Sequence, residues 1–166
     1  CAYTPLKTIT PLSVFVGAIP GAIPFMLGWV SVTGSFGIEP GILFMIQFFW
    51  QFPHFWAIGW LMHEDYQRAG INMLPTGKRD RATALQVILY TLWTLVISVF
   101  PVLGLCGTLT LTIPAATVVG IMGLIFLWYG ILLYKNQSES SAKKLMIVSI
   151  IYIMSIQWIY VIDKFL

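Results

Sequence analysis

The amino-acid sequence predicts an all-α fold, a polytopic transmembrane helix bundle, and three observations support this prediction. Of the 166 residues, 58% are hydrophobic and 9% are charged, whereas soluble domains have about 45–50% apolar and about 25% charged residues. Five apolar stretches come close to the roughly 20 residues that a helix needs to cross a bilayer. These stretches lack the alternation of polar and apolar residues that marks the strands of a membrane barrel.

The five predicted spans cover residues 12–33, 40–62, 82–103, 114–134 and 145–162. Each should be helical, because backbone groups left unpaired in hydrocarbon are costly. The segments between the spans are short and hold nearly all the charge. We therefore expect residues 1–166 to form a single transmembrane domain that contacts the lipid bilayer and binds no nucleic acid.

The first span contains the tetrapeptide GAIP twice, beginning at Gly17 and again at Gly21. The four-residue spacing of these glycines lets two helices approach closely. Pro20 and Pro24 each remove a backbone hydrogen bond and bend the helix. A close, kinked helix contact is favoured here over a direct role in ligand binding.

The second span carries polar side chains on one face. Gln47, Gln51 and His54 are spaced by four and three residues, which places them on one side of a helix. Asp65 falls on the same face if the helix keeps its register past Pro53. Aromatic residues surround this stripe. We interpret it as the wall of a cavity for a flat conjugated substrate or a polyisoprenoid chain, the alternative for His54 being a hydrogen bond to a neighbouring helix.

The loop of residues 63–81 combines carboxylates with cations. Its acids are Glu64, Asp65 and Asp80, and its bases are Arg68, Lys78, Arg79 and Arg81. Carboxylates bind Mg²⁺, the ion binds phosphate oxygens, and Arg or Lys neutralises the remaining charge. Membrane topology alone would explain the bases but not the carboxylates. The loop is therefore predicted to bind a diphosphate together with Mg²⁺.

The last three spans, between residues 82 and 162, are interpreted as scaffold, because Gln86 and Gln157 are their few strongly polar residues. The distribution of Lys and Arg predicts the orientation, since positive charge is retained on the cytoplasmic side. Lys7 precedes the first span, the loop of residues 63–81 holds four bases and residues 135–144 hold three, whereas residues 35–39 and 104–113 have no Lys or Arg. The loop of residues 63–81 should be cytoplasmic and the C-terminus should lie on the opposite side.

Two long motifs, WQFPHFWAIGW and EDYQRAGINMLP, closely resemble the signature region of the protoheme IX farnesyltransferases. The segments YTPLKTITP and GAIPGAIPFMLGW resemble the region that precedes it in that family. These enzymes are UbiA-type intramembrane prenyltransferases, which form a nine-helix bundle with two acidic motifs at its cytoplasmic mouth. The resemblance implies that this chain is a C-terminal part, containing the last five helices, and that the N-terminal helices and the first acidic motif precede Cys1.

The resemblance also implies roles for individual residues. The implied catalytic residues are His54 and Asp65, the implied metal ligands are Asp65 and Glu64, and the implied substrate-binding residues are Lys7, Gln47, Gln51, Arg68, Lys78 and Arg79. Asp65 with Glu64 would correspond to the second acidic motif, and His54 would lie near the heme or the developing allylic cation. That motif commonly has two aspartates four residues apart, whereas Met62 and Tyr66 stand at the nearby positions here.

The implied reaction is transfer of a farnesyl group from farnesyl diphosphate to the vinyl group of heme B, with Mg²⁺ as cofactor, giving heme O. The implied location is the inner (plasma) membrane. Two alternatives remain open at this point. A related prenyltransferase would act on a quinone precursor or a chlorophyll-type ring, and a transporter subunit would also use kinked helices with polar residues at the membrane midplane.

Overall fold

The computed structural model describes residues 12–165, with side chains from residue 14 onward, and the regular secondary structure of this part is entirely helical. The helices are α1 (Leu12–Thr33), α2 (Ile38–Leu61), the short α3 (His63–Arg68), α4 (Arg81–Val99) with a 3₁₀ turn (Phe100–Leu103), α5 (Ile113–Asn136) and α6 (Glu139–Phe165). The prediction of an all-α helix bundle is confirmed.

Four helices in the described part are long and apolar enough to cross a membrane: α1, α4 with its 3₁₀ turn, α5 and α6. The remaining predicted span, α2, has 24 residues, a length of about 36 Å at 1.5 Å per residue. It contains two glutamines, two prolines and a histidine, and it is not among these four helices. Its position explains this composition, because α2 packs against α1, α4 and α6 and is the central helix of the described bundle.

Large apolar side chains occupy both the core and the outer surface of the bundle. Phe52, Trp56 and Trp60 of α2 are almost completely buried. Trp93, Trp128 and Trp158, one on each of the last three long helices, are more than half exposed. Large apolar side chains on the outside of a bundle are stable when lipid surrounds them, and they indicate a multi-pass membrane protein.

Local sequence signals set the ends of several helices. The Asp80 carboxylate caps α4 by accepting a 2.8 Å hydrogen bond from the backbone N–H of Thr83. Thr112 caps α5, which has proline in its first turn, a favourable position because that N–H has no helical partner. Gln137 ends α5 in the left-handed conformation, at φ 47°. These caps satisfy backbone groups that a helix end leaves unpaired.

Successive long helices run in opposite directions, so the links between them lie at two ends of the bundle. We call the end that carries residues 62–80 the loop end and the opposite one the far end. At the far end, Glu39 accepts hydrogen bonds of 3.0 and 3.2 Å from the backbone N–H and the hydroxyl of Thr108. The backbone hydrogen bond from Thr108 is the main reason why the pKa of Glu39 is lowered. Lys164 donates to the Thr108 carbonyl, and Asp163 accepts from Thr112. Polar contacts of α2 and α6 with the link of residues 104–112 therefore stabilise the far end.

Candidate active site

Two of the three acidic residues of the loop, Glu64 and Asp65, lie on α3, which follows α2 after the single residue Met62. Glu64 and Asp65 occupy its first turn and Arg68 its last. Asp65 forms an ion pair of 3.6 Å with Arg68, and the two side chains are 65% and 77% exposed. A pair so exposed contributes about 0–1 kcal/mol. Both groups are therefore accessible and can exchange this pairing for contacts with a charged ligand.

The rest of the loop is held in place against the helices. Leu74 is buried, and it packs with Met73 on Gly59 of α2. A Cβ atom at Gly59 would lie 3.0 Å from Cβ of Met73, so the glycine permits this close approach. The hydroxyl of Thr76 also donates a 3.0 Å hydrogen bond to the carboxylate of Asp80, which stabilises the loop. The loop is thus a fixed support for the exposed side chains that it carries.

Arg79 differs from the other loop cations. It is largely buried, and its terminal nitrogens donate to Glu139 at 2.8 Å and to the carbonyl of Leu61 at 3.4 Å. Its Nε atom is buried without a hydrogen-bond partner among the described residues. Lys78, by contrast, is exposed. The structure therefore gives Arg79 contacts that join three segments, and it leaves Lys78 on the surface.

A first cavity, which we call the aromatic cavity, lies near the loop end and has a volume of about 270 Å³. It is lined by Val14, Phe15, Phe52, Trp56, Pro75, Gln86 and Tyr90. The rings of Phe52 and Tyr90 are 4.5 Å apart, and Trp56 meets Tyr90 edge to face at 5.0 Å. Pro75 belongs to the loop, so the cavity reaches the segment that carries the acids and bases.

Two lining residues of the aromatic cavity, Gln86 and Tyr90, lie on α4, which the sequence reasoning treated as scaffold. Their spacing of four residues places both on the same face of the helix. A glutamine one turn before a tyrosine at the start of an apolar span was the signal available in the sequence. The partner helix that closes the cavity could not be deduced from that spacing.

The polar stripe of α2 faces the seam between α1 and α6. Gln51 donates a 3.3 Å hydrogen bond to the carbonyl of Ala18 on α1. On the side of α2 that faces α6, Nδ1 of His54 lies 2.8 Å from the hydroxyl of Ser149. Gln51 and His54 therefore each bond to a neighbouring helix, which was the alternative considered for His54 in the sequence.

Gln47, the third member of the stripe, lines a second cavity of about 300 Å³ towards the far end. Its Oε1 atom is buried and has no hydrogen-bond partner among the described residues, although the residue is only 8% exposed. The other lining residues are mostly apolar and come from α1, α2, α6 and, with Leu109, the link before α5, and Gln157 and Lys164 are polar members. A buried amide facing an apolar cavity is a group that a ligand or a water molecule could satisfy.

The residues of the described part meet the needs of a Mg²⁺ site only in part. No cluster of three or more His, Cys, Asp or Glu side chains occurs within residues 14–165. Mg²⁺ is often held by one or two carboxylates together with substrate phosphates and water. Glu64 and Asp65, adjacent and accessible, fit that smaller requirement. Lys7, the remaining predicted phosphate ligand, lies outside the described residues.

His63 is the first residue of α3, next to the end of α2. Burial lowers its pKa, and the positive charge of Arg79 lowers it further. The negative charge of Glu64 opposes this shift, and the net lowering of the pKa favours the neutral imidazole. It adds no positive charge to the phosphate-binding groups of the loop.

Comparison of the amino-acid sequence with known proteins identifies relatives of the chain. The chain is 62% identical over its whole length to a protoheme IX farnesyltransferase of Flavobacterium psychrophilum, of which it covers 55%. It is 62% identical over 99% of its length to the enzyme of that name from Christiangramia forsetii, again covering 55%. With the Cytophaga hutchinsonii protein of that name it shares 46% identity over 98% of its length, covering 56%.

The chain thus spans about half the length of the curated relatives it matches. No solved structure matches it. The model of the UbiA prenyltransferase family matches residues 1–156, which is nearly the entire chain. This chain, with its bundle of apolar helices and its acidic and basic loop, belongs to the UbiA prenyltransferase family.

Proposed function

We propose that the complete protein transfers the farnesyl group of farnesyl diphosphate to a vinyl group of heme B, giving heme O and diphosphate. The relatives named above carry the name of this activity. Within the chain, one observation carries the proposal: the aromatic cavity reaches the loop through Pro75. An apolar chamber next to accessible acids and bases suits a substrate with an isoprenoid chain and a diphosphate head.

The charged groups of the loop bind the diphosphate in this proposal. Arg68 and Lys78 are exposed and can each donate charge-assisted hydrogen bonds to phosphate oxygens. Mg²⁺, held by Asp65 and Glu64, would supply further neutralisation of the leaving group. Arg79, which the resemblance implies as a phosphate ligand, also holds the loop in position through its contacts with Glu139 and Leu61.

The aromatic cavity takes the farnesyl chain. Phe52, Trp56 and Tyr90 give it an apolar, polarisable wall, which keeps water from the allylic carbon. The π electrons of the heme vinyl group attack C1 of the farnesyl chain as its bond to the diphosphate oxygen breaks. Water then adds to the resulting cation and loses a proton, which gives the hydroxyethylfarnesyl group. Diphosphate leaves with the electron pair of the broken bond, stabilised by the loop cations.

The loop end faces the cytoplasm of the cell in this proposal, and the far end faces the opposite side of the plasma membrane. Support comes from the basic residues at the loop end, which are Arg68, Lys78, Arg79 and Arg81. Lys143 and Lys144 lie in the second turn of α6, which starts at that same end. Positive residues are retained on the cytoplasmic side. Water-soluble farnesyl diphosphate would then reach the loop directly.

The test uses the full-length protein in membranes supplied with heme B, farnesyl diphosphate and Mg²⁺, with mass spectrometry of the extracted hemes. Heme O should form with the wild type and fall by about 10²-fold or more in Asp65→Ala, the scale on which loss of a group that stabilises transition-state charge acts. Arg68→Ala should also lower the yield of heme O, and Lys144→Ala, which removes an exposed cation on α6 at the same end, is its matched control and should stay active. Absence of heme O, together with a prenylated product when a quinone precursor is supplied in place of heme B, would assign the alternative substrate.

A further inference from the structure

The hydrogen bonds around His54 determine which of its ring nitrogens carries the proton. The hydroxyl of Ser149 lies 2.6 Å from the carbonyl oxygen of Met146 and 2.8 Å from Nδ1 of His54. A carbonyl oxygen cannot donate, so a contact of 2.6 Å requires the single hydroxyl proton to point at Met146. Ser149 can therefore only accept from His54. Nδ1 carries the hydrogen, and Nε2 of the neutral ring keeps its lone pair.

Nε2 is also accessible. No residue in the described part of the chain forms a hydrogen bond to Nε2. The polar atoms there that are fully buried without a partner are Gln47 Oε1, Trp60 Nε1, Arg79 Nε and Tyr152 Oη. Nε2 is not one of them. His54 itself is half-buried. The lone pair therefore faces space that the described helices leave open.

The ring is held in one orientation by Trp50, one helical turn earlier. The Trp50 and His54 rings stack with centroids 4.8 Å apart and planes 15° apart. Trp50 in turn donates a 2.7 Å hydrogen bond to the backbone carbonyl of Ser149. One residue of α6 thus fixes both rings. A histidine whose Nδ1–H is anchored and whose Nε2 is open has the arrangement found in metal-ligating histidines.

We propose that Nε2 of His54 is an axial ligand to the iron of the heme substrate, and that Ser149 and Trp50 are positioning residues for it. The inference rests on the proposed function, because it takes heme B to be the acceptor. His54 lies seven residues before Leu61, about 10 Å from the loop end along α2. A heme ligated at this depth can extend a vinyl edge towards the loop, where the diphosphate leaves.

The test measures iron coordination and not turnover. Full-length protein in detergent is loaded with ferrous heme B, and resonance Raman spectroscopy records the iron–histidine stretching band. The wild type should show this band, and His54→Ala should lose it and regain a five-coordinate spectrum when free imidazole is added. His63→Ala removes the other histidine of the described chain and should leave the band in place. Ser149→Ala should keep the band at a shifted frequency, because Nδ1–H loses its acceptor.

The outcomes separate this inference from the proposed function. A wild type that makes heme O while His54→Ala binds heme with an unchanged spectrum overturns the iron ligation alone, and His54 would then be left as a contact between α2 and α6. Loss of the band in His54→Ala without rescue by imidazole, in protein that elutes as the wild type does, also contradicts direct ligation. A wild type that shows the band but forms no heme O overturns the reaction and leaves the ligation standing.

Discussion

The guanidinium of Arg79 donates a 2.8 Å hydrogen bond to the carboxylate of Glu139, and its second terminal nitrogen lies 3.4 Å from the carbonyl oxygen of Leu61. The loop residue thereby joins the last turn of α2 to the first turn of α6. These are the helices that carry His54 and Ser149 at their facing surfaces. The position of the loop and the packing of the two helices are therefore coupled through one side chain.

Arg79→Ala should destabilise the bundle by about 1–3 kcal/mol, because hydrogen bonds to charged groups contribute that much and the Leu61 carbonyl loses a donor. Glu139→Gln should cost less than about 1 kcal/mol, since the Glu139 side chain is 61% exposed and keeps an acceptor oxygen. Thermal unfolding in detergent, followed by circular dichroism, measures both. Arg68→Ala, which removes an exposed cation of the same loop, is the control and should leave the unfolding temperature unchanged. Equal losses in all three variants would contradict the special position of Arg79.

Close packing of α1 on α2 depends on the missing side chain of Gly21. A Cβ atom there would lie 2.6 Å from Oε1 of Gln51, whose amide nitrogen bonds to Ala18. Gly21→Ala should therefore displace Gln51, and overpacking of this kind costs about 1–3 kcal/mol. The double variant Gly21→Ala/Gln51→Ala should recover part of the loss.

Gly28→Ala is the matched control for Gly21→Ala, because no atom lies within 4 Å of the Cβ position at Gly28. Both changes improve helix propensity by the same small amount. The two variants should therefore differ in unfolding temperature only through the contact with Gln51. If they proved equally stable, the close approach of α1 and α2 at Gly21 would be refuted.

Much of the fold follows from hydropathy. The predicted second span, residues 40–62, differs from α2 (Ile38–Leu61) by two residues at one end and one at the other. The prediction was poorer for α6, which begins at Glu139 and not at residue 145. Ser138 accepts a hydrogen bond from the backbone N–H of Ser141 and so starts a polar first turn. Hydropathy detects the part of a helix in lipid, whereas capping decides where the helix begins.

The candidate site was less accessible to sequence reasoning. Helical periodicity predicted that Gln47, Gln51 and His54 share a face, but the neighbours of that face are set by the packing of α1 and α6. Gln51 therefore meets Ala18 and His54 meets Ser149, across 33 and 95 residues. The short helix α3 was not predicted, because six residues give too little periodicity for a helix to be identified.

The cap of α4 gives the loop a dependence on pH. The hydrogen bond from the Thr83 backbone N–H lowers the pKa of Asp80, and the hydroxyls of Thr76 and Thr83 lower it further. A carboxyl whose pKa is depressed by folding stabilises the folded state above its unfolded pKa of about 3.9, and this contribution is lost as the pH falls through the folded value. Unfolding temperatures measured between pH 7 and pH 3 should therefore fall at the acid end.

Asp80→Asn separates this effect from other carboxylates. Asparagine can also cap a helix but does not titrate, so the difference between wild type and Asp80→Asn should be largest near neutral pH and shrink as Asp80 is protonated. Asp80→Ala should lose about 1 kcal/mol at neutral pH through loss of the cap. A constant difference between wild type and Asp80→Asn across the whole pH range would contradict the lowered pKa.

The aromatic cavity should set the length of the prenyl chain. Val14 lines it and is 6% exposed, next to Phe15, whose ring lies 5.8 Å from that of Phe52. Val14 is the third residue of α1 and lies towards the loop end, and Phe52, nine residues from the loop-end terminus of α2, lies deeper in the cavity. Val14→Phe should reduce the volume of the cavity, and a pocket that excludes even one methylene discriminates by about 1–3 kcal/mol.

Under the proposed function, Val14→Phe should lower kcat/KM for farnesyl diphosphate by about tenfold or more while transfer from the shorter geranyl diphosphate is kept. Competition between the two diphosphates, with mass spectrometry of the prenylated hemes, measures the ratio directly. Val118→Phe makes the same change on α5, where Val118 is 48% exposed, and should leave the ratio unchanged. Since the diphosphate groups of the two substrates are identical, an equal loss with both chains would contradict the assignment of the prenyl chain to this cavity.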